Sequence, residues 1–177
     1  KSDKTATHRN TKGYKLMESG RKQLKEVSQK QEVVMIEAGK PFSTKNIILK
    51  DIFTKLSGEI SICDPYLDIH TLDIIFKNSD KKTPIKIMTS NLVDKPKGIF
   101  VRHLEDLRNE GYKIEIGVYS SSDLHDRYIM DNQIFWFSGN SLNHLGNKES
   151  FIVSLGEDIR QSMMATFNSR WKVCVKI

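Results

Sequence analysis

The chain has 177 residues, 38% apolar and 28% charged, the composition of a globular domain with room for one substantial core. It holds no run near the roughly 18 apolar residues of a bilayer span, and its lysine-rich start lacks the apolar segment of a secretory leader, so a cytoplasmic protein without a transmembrane segment is expected. A formal net charge of +6 favours association with a phosphate-bearing polyanion.

Along the chain, residues 1–11 are polar and unpatterned, and Lys1 to Lys25 carry eight basic residues against Asp3 and Glu18. From Tyr14 to Gln31, Leu16, Met17, Leu24 and Val27 stand among charges, which predicts an amphipathic helix interrupted by Gly20. Residues 1–42 are therefore read as a basic, helical N-terminal arm that binds a phosphate backbone or is simply a solvated face. The stretch Glu32–Phe42 is β-branched and ends in Gly39-Lys40-Pro41, as either a short strand or a helix end. In Ser43–Ser57, Ser43 or Thr44 is placed to cap a helix whose apolar positions are Ile47, Ile48, Ile52, Phe53 and Leu56.

From Glu59 the pattern alternates. Strands are predicted over 59–67, 84–90 and 112–120, with helices over 68–78 and 98–111 between them. Such a βαβαβ succession requires right-handed crossovers, so an α/β domain over 43–177 with a mixed, largely parallel sheet flanked by helices is expected. Arg127–Gly139 reads as an antiparallel hairpin about Asp131-Asn132. Ser150–Gly156 is a further strand, and Glu157–Cys174 a closing helix, acidic at its start and basic at its end as the helix dipole favours. Cys63 and Cys174 lack metal-ligand or CxxC spacing and read as small buried hydrophobes.

The chemistry centres on His125 and Arg127. If this piece is extended, the two side chains share one face with Asp126 on the other. An imidazole beside a guanidinium suits phosphate: the histidine attacks or protonates, and the arginine neutralises anionic oxygens through paired hydrogen bonds. The hairpin returns "SGNSLN" close by, offering Ser138, Asn140, Ser141 and Asn143, and "NKE" places Asn147 and Glu149 before the next strand. Trp136 and Phe137, like Tyr66 and Tyr119 at strand ends, either stack on a base or belong to the core.

In this order the residues resemble the phospholipase D superfamily, whose half-site reads HxKxxxxD followed by GSxxN and NxE-type elements. "ISICDPYLD" is similar to that superfamily's first strand, and "LHDRYIMD" to a branch carrying His-Asp-Arg. The resemblance spans Leu56 to Trp171. It implies a metal-independent phosphodiesterase without a cofactor, with His125 as the nucleophile forming a phosphohistidine and Arg127 in the lysine's place. It further implies Asn140 and Ser141 as phosphate contacts, Asn143 as the amide, and Glu149 as the acid that orients a histidine, with Asp64, Tyr66 and Trp136 as possible site-lining residues. Three departures stand out: arginine replaces lysine, Asp131 comes one residue before the family aspartate and reads as a turn residue, and "GNSLN" departs from the Gly-Ser-x-x-Asn pattern. His70, His103 and His144 lack the motif, so the single half-site implies a homodimer that shares one site, with a nucleic acid as the expected substrate. The alternative is a catalytically inactive module of the same fold that binds nucleic acid or anionic lipid head groups.

Overall fold

In the computed structural model the described residues are 31–39, 41–93, 97–120 and 122–177. The expected helix over Tyr14–Gln31 lies, but for its last residue, outside them.

The sheet begins with β1 (Val33–Ile36), followed by helix α1 (Pro41–Phe53). Pro41 occupies the first helical position, where its fixed φ and missing N–H cost nothing, so the helix starts ahead of the expected caps Ser43 and Thr44. The alternating half follows as β2 (Ile60–Cys63), α2 (Ile69–Lys77), β4 (Ile85–Thr89), α3 (Lys97–Asn109) and β6 (Ile114–Val118). Two short strands, β3 (Tyr66–Leu67) and β5 (Asn91–Leu92), pair in parallel as a separate ribbon just beyond β2 and β4. Helix α2 is capped by Asp68, which accepts from the Thr71 N–H at 2.7 Å, satisfying a donor the helix leaves orphaned. The hairpin is β7 (Tyr128–Met130) and β8 (Phe135–Ser138); β9 (Ser150–Leu155), α4 (Glu157–Trp171) and β10 (Val175–Lys176) complete the chain.

The main sheet has eight strands in the order β1-β9-β8-β7-β2-β4-β6-β10. Within it β2, β4 and β6 pair in parallel; β7 joins β2 antiparallel, as do β8 to β7, β9 to β8, β1 to β9 and β10 to β6. The expected mixed α/β sheet is present, and parallel pairing is confined to its βαβαβ half, because each later strand enters the sheet antiparallel to its neighbour. β1 pairs along its length with β9, so the α/β unit starts at Gln31 and not at residue 43; an edge strand of four residues carries too little periodicity to be told from a helix end.

Side-chain alternation sorts the core into two layers. On one face, Ile62, Ile87, Ile116, Ile129 and Trp136 pack with Leu49 and Ile52 of α1, Leu72 and Ile75 of α2, and Phe100 and Leu104 of α3. On the other, Cys63, Met88, Tyr128, Met130 and Phe135 pack against Phe167 of α4. Both cysteines are free and buried, as expected, and burial pushes the Cys63 thiol up to about 12, which makes it inert as a nucleophile. Among the described residues no helix is long and apolar enough to cross a membrane.

Candidate active site

The strand directions gather the candidate residues. β2, β4, β6 and β8 end at the same edge of the sheet where β7 and β9 begin, so residues that follow the former and precede the latter share that edge. There lie Asp64 and Tyr66 after β2, Tyr119 after β6, His125 to Arg127 before β7, Ser138 to Asn143 at and after the end of β8, and Glu149 before β9. The topology, not local sequence, makes these five stretches neighbours.

His125 is exposed and, among the described residues, engaged in no hydrogen bond or ion pair. It lies in an irregular segment that joins the sheet only at Tyr128, so the shared-face argument for His125 and Arg127 does not rest on a strand. Arg127 is anchored by its backbone, whose carbonyl accepts the Ser138 N–H at 2.8 Å. Its half-buried side chain keeps Nε out of solvent without a hydrogen-bond acceptor, an omission worth about 1–3 kcal/mol in a native fold. Its charge reaches Asp64, where it favours the carboxylate.

Asp64, fully buried, is the keystone of this edge. Its Oδ1 accepts from the Ser141 hydroxyl at 2.6 Å and the Tyr66 N–H at 3.0 Å, and its Oδ2 from the Leu142 N–H at 2.6 Å. Burial raises its pKa, while Ser141, Tyr66 and Leu142 pull in the opposite direction without overcoming it. Asp64 therefore does not line an open site; it fastens the polar turn to the end of β2. The Ser141 hydroxyl is committed to that bond and to the Tyr66 carbonyl at 3.2 Å, which removes it as a free donor to phosphate.

The rest of the turn is similarly tied. Ser138 Oγ donates to the Asn140 carbonyl at 2.6 Å, and the Gly139 N–H donates to the Phe151 carbonyl at 2.9 Å. A Cβ on Gly139 would stand 2.9 Å from Ser150 Oγ, so glycine lets the turn lie against β9. Asn140 is half-buried and Asn143 buried, in the short 3-10 turn Leu142–His144. Glu149 is exposed at the same edge with no bond to His125. Tyr66 is 43% exposed and offers a ring at the rim.

Trp136, expected as a site-lining residue, and Asp131 both fall elsewhere. Trp136 is 2% exposed, in the layer beneath α1–α3 with Lys55 Nζ over its ring at 5.2 Å, so it presents no surface to a base: the alternation of β8 turns Trp136 into the core. Asp131 lies at the opposite end of β7, about 13 Å from Arg127 by strand rise. Its Oδ1 accepts from the Gln133 and Ile134 N–H groups, both at 2.7 Å, and its Oδ2 from the Ser57 N–H at 2.6 Å. It is the buried clasp of the hairpin turn. His103 is likewise structural, its Nε2 2.7 Å from Asp73 Oδ1 between α3 and α2. Among the described residues no group of three His, Cys, Asp or Glu side chains is placed to hold a metal ion.

Sequence reading missed one cation at this edge. Arg170, in the last turn of α4, sets its guanidinium 5.7 Å from the centroid of Tyr119, and one of its terminal nitrogens is buried without an acceptor. The only signal in the sequence is a basic residue at a helix C-terminus.

The arrangement of strands and helices around this edge is shared with solved structures. Nuc from Salmonella typhimurium, a phospholipase D family member, superposes with a TM-score of 0.62 at 12% identity over 84% of this chain and 99% of that one. The fold is phospholipase-D-like. NucT from Helicobacter pylori gives a TM-score of 0.55 at 8% identity, over 84% of this chain and 100% of that one. TrmBL2, an archaeal chromatin protein described as showing a novel mode of DNA binding, gives 0.54 at 16% identity, over 90% of this chain and 62% of that one. No protein-family model and no curated protein matches the chain. At these identities the phospholipase-D-like likeness is one of fold, and the site's chemistry has to be argued from its own side chains.

Proposed function

We propose that the chain is a phosphodiesterase of the phospholipase D type acting on nucleic acid, with His125 as nucleophile in a site completed by a second copy. One observation carries this reading: an unengaged, exposed imidazole stands two residues from a guanidinium whose buried Nε has no acceptor, at a sheet edge that also carries the Asn140–Asn143 turn and Glu149. Phosphate oxygens between them would satisfy Arg127 and set phosphorus within reach of His125.

In the proposed reaction a ring nitrogen of His125 attacks phosphorus, the P–O bond to the leaving group breaks, and Arg127 neutralises the non-bridging oxygens. The leaving oxygen takes its proton from the second copy's imidazolium. Water then attacks the phosphohistidine, passing its proton to that same imidazole as the P–N bond breaks. Glu149 is the proposed orienting acid and Asn143 the proposed amide contact. Asn140 and Ser141 serve through the turn they build, Ser141 by holding its position. Because the described residues hold one such histidine, the two-fold pairing of copies is part of the proposal.

A second reading, a non-catalytic module that binds nucleic acid or an anionic head group, is favoured by the commitment of the Ser141 hydroxyl and Asp131 to structural bonds and by the likeness to a DNA-binding chromatin protein. One experiment separates them: incubate the full chain with labelled single-stranded DNA and RNA in EDTA and follow cleavage. The nuclease reading expects cleavage that disappears in His125→Ala at unchanged melting temperature. Salt-sensitive binding with no cleavage establishes the binding module instead.

A further inference from the structure

The edge of the sheet carries a second guanidinium whose position nothing in the proposed reaction uses. Arg127 stands on the α1–α3 side, where its charge acts on Asp64. Arg170 comes from the opposite layer, at the end of α4, half-buried and over the Tyr119 ring. Its charge acts on both Cys63 and Tyr128, which face each other across β2 and β7. Arg170 therefore lies behind the strand junction from which the His125 segment departs.

The mounting is rigid. A Cβ on Gly117 would fall 2.8 Å from Cys174 Cβ and 2.9 Å from Trp171 Cζ3, so the absence of a side chain there lets the end of α4 sit directly on β6. Trp171 stacks on Phe167 with ring centroids 5.5 Å apart and planes at 13°, and Phe167 meets Tyr128 edge-on at 6.4 Å. These contacts hold the last turn of α4, and with it Arg170, at the candidate edge.

The helix dipole accounts for a cation in this turn but not for a terminal guanidinium nitrogen buried with no acceptor. Among the described residues Arg170 makes no ion pair within 4.0 Å. A guanidinium presents its donors in a fixed fork suited to phosphate oxygens, and its unused donor is costly unless a ligand supplies the acceptor. Arg170 is half-buried, its guanidinium carbon 5.7 Å from the Tyr119 centroid, and one terminal nitrogen is the donor left without an acceptor. Two such guanidiniums on opposite layers of one edge suit a chain of phosphates better than a single one.

We propose that Arg170, seated on Tyr119, contacts a phosphate of a polynucleotide strand adjacent to the one held by Arg127, so that the strand crosses the sheet edge from the α1–α3 side to the α4 side. This rests on nucleic acid being the ligand, not on the chain being a nuclease.

The test uses the full chain, a fluorescein-labelled 12-residue oligothymidylate, and anisotropy across a range of NaCl concentrations, with bis(p-nitrophenyl) phosphate as a one-phosphate substrate. Arg170→Met is expected to weaken oligonucleotide binding roughly tenfold and to reduce the slope of log K against log salt by about 0.7, one single-strand phosphate contact. Arg170→Lys is expected to keep the slope and lose roughly threefold in affinity, because the charge remains and the fork does not. Any turnover of the one-phosphate substrate should be unchanged in both.

An unchanged slope in a normally melting Arg170→Met overturns the proposal. If that variant melts early, Arg170→Lys decides, and affinity equal to the parent overturns it. Equal losses on the oligonucleotide and the small diester also overturn it, by placing Arg170 at the first phosphate. A parent chain that hydrolyses the small diester but binds no oligonucleotide sinks this inference alone; one that binds but cleaves neither sinks the nuclease reading and leaves the salt slope to decide Arg170.

Discussion

Ser141 donates its hydroxyl to Asp64 at 2.6 Å across 77 positions of sequence, and with the Leu142 N–H it fixes the polar turn to the end of β2. A buried carboxylate with three donors is a positioning device, and removing it strands the Tyr66 and Leu142 N–H groups and leaves the Ser141 hydroxyl only its longer bond to the Tyr66 carbonyl. Asp64→Ala should cost about 3–5 kcal/mol of stability by urea unfolding, and D64N clearly less, since an amide oxygen still accepts. D64N at parental stability beside a destabilised Asp64→Ala would show that the carboxylate contributes only by filling space.

The same carboxylate gives the fold a pH signature. Burial raises its pKa in the folded chain above the ordinary 3.8, so the folded state binds the proton more tightly than the unfolded state. Stability from protonated Asp64 is present below about 3.8 and is lost as pH rises through the raised folded value. The stability advantage of the parent over D64N should accordingly shrink with rising pH from about 4 upward, then level off. Urea curves at successive pH values in which the advantage grows instead would contradict the dominance of desolvation.

Asp131 fastens the far end of the hairpin through Gln133, Ile134 and Ser57. Asp131→Ala should therefore destabilise by about 2–4 kcal/mol while leaving oligonucleotide affinity of the folded fraction within about twofold, since the turn is about 13 Å from Arg127. Chemical unfolding and anisotropy measured on one preparation check both halves. A large affinity loss without a stability loss would make Asp131 a site residue after all.

Arg127→Met should lose roughly tenfold in oligonucleotide affinity or more, with stability held or slightly increased because a buried donor without acceptor disappears. Arg127→Lys should recover part of the affinity, with the difference reporting the guanidinium fork. Wild-type affinity in Arg127→Met would remove this residue from the phosphate site.

Two glycines separate packing from backbone freedom. Gly117→Ala forces a Cβ against Cys174 and Trp171 and should cost about 1–3 kcal/mol. Gly98→Ala, in α3 with nothing within 4 Å of the new atom, should stabilise by about 0.4–1 kcal/mol through the unfolded chain. A melting temperature that Gly117→Ala leaves unchanged or raises would refute the close seating of α4 on β6.

Much of the fold was legible because its signals are local. The βαβαβ half, the hairpin about Asp131 and the long closing helix follow from periodicity and turn chemistry, and the His-Asp-Arg motif marked the edge at which the candidate residues collect. What stayed hidden depends on partners far away in sequence. β1 and β10 are short edge strands, defined by pairing with β9 and β6. Trp136 and Tyr66 are both aromatics at or near strand ends, and only the direction of alternation puts one in the core and leaves the other at the rim.

By itself the sequence determined that one α/β sheet would form and that His125 and Arg127 would stand beside a polar turn, since spacing and residue chemistry suffice for both. Tertiary structure alone decided that Asp64 clamps that turn, that Ser141 is committed to it, and that Arg170 reaches the same edge from the other layer. Buried hydrogen bonds and close packing are set by which strands become neighbours, and neighbourhood is a property of the folded chain.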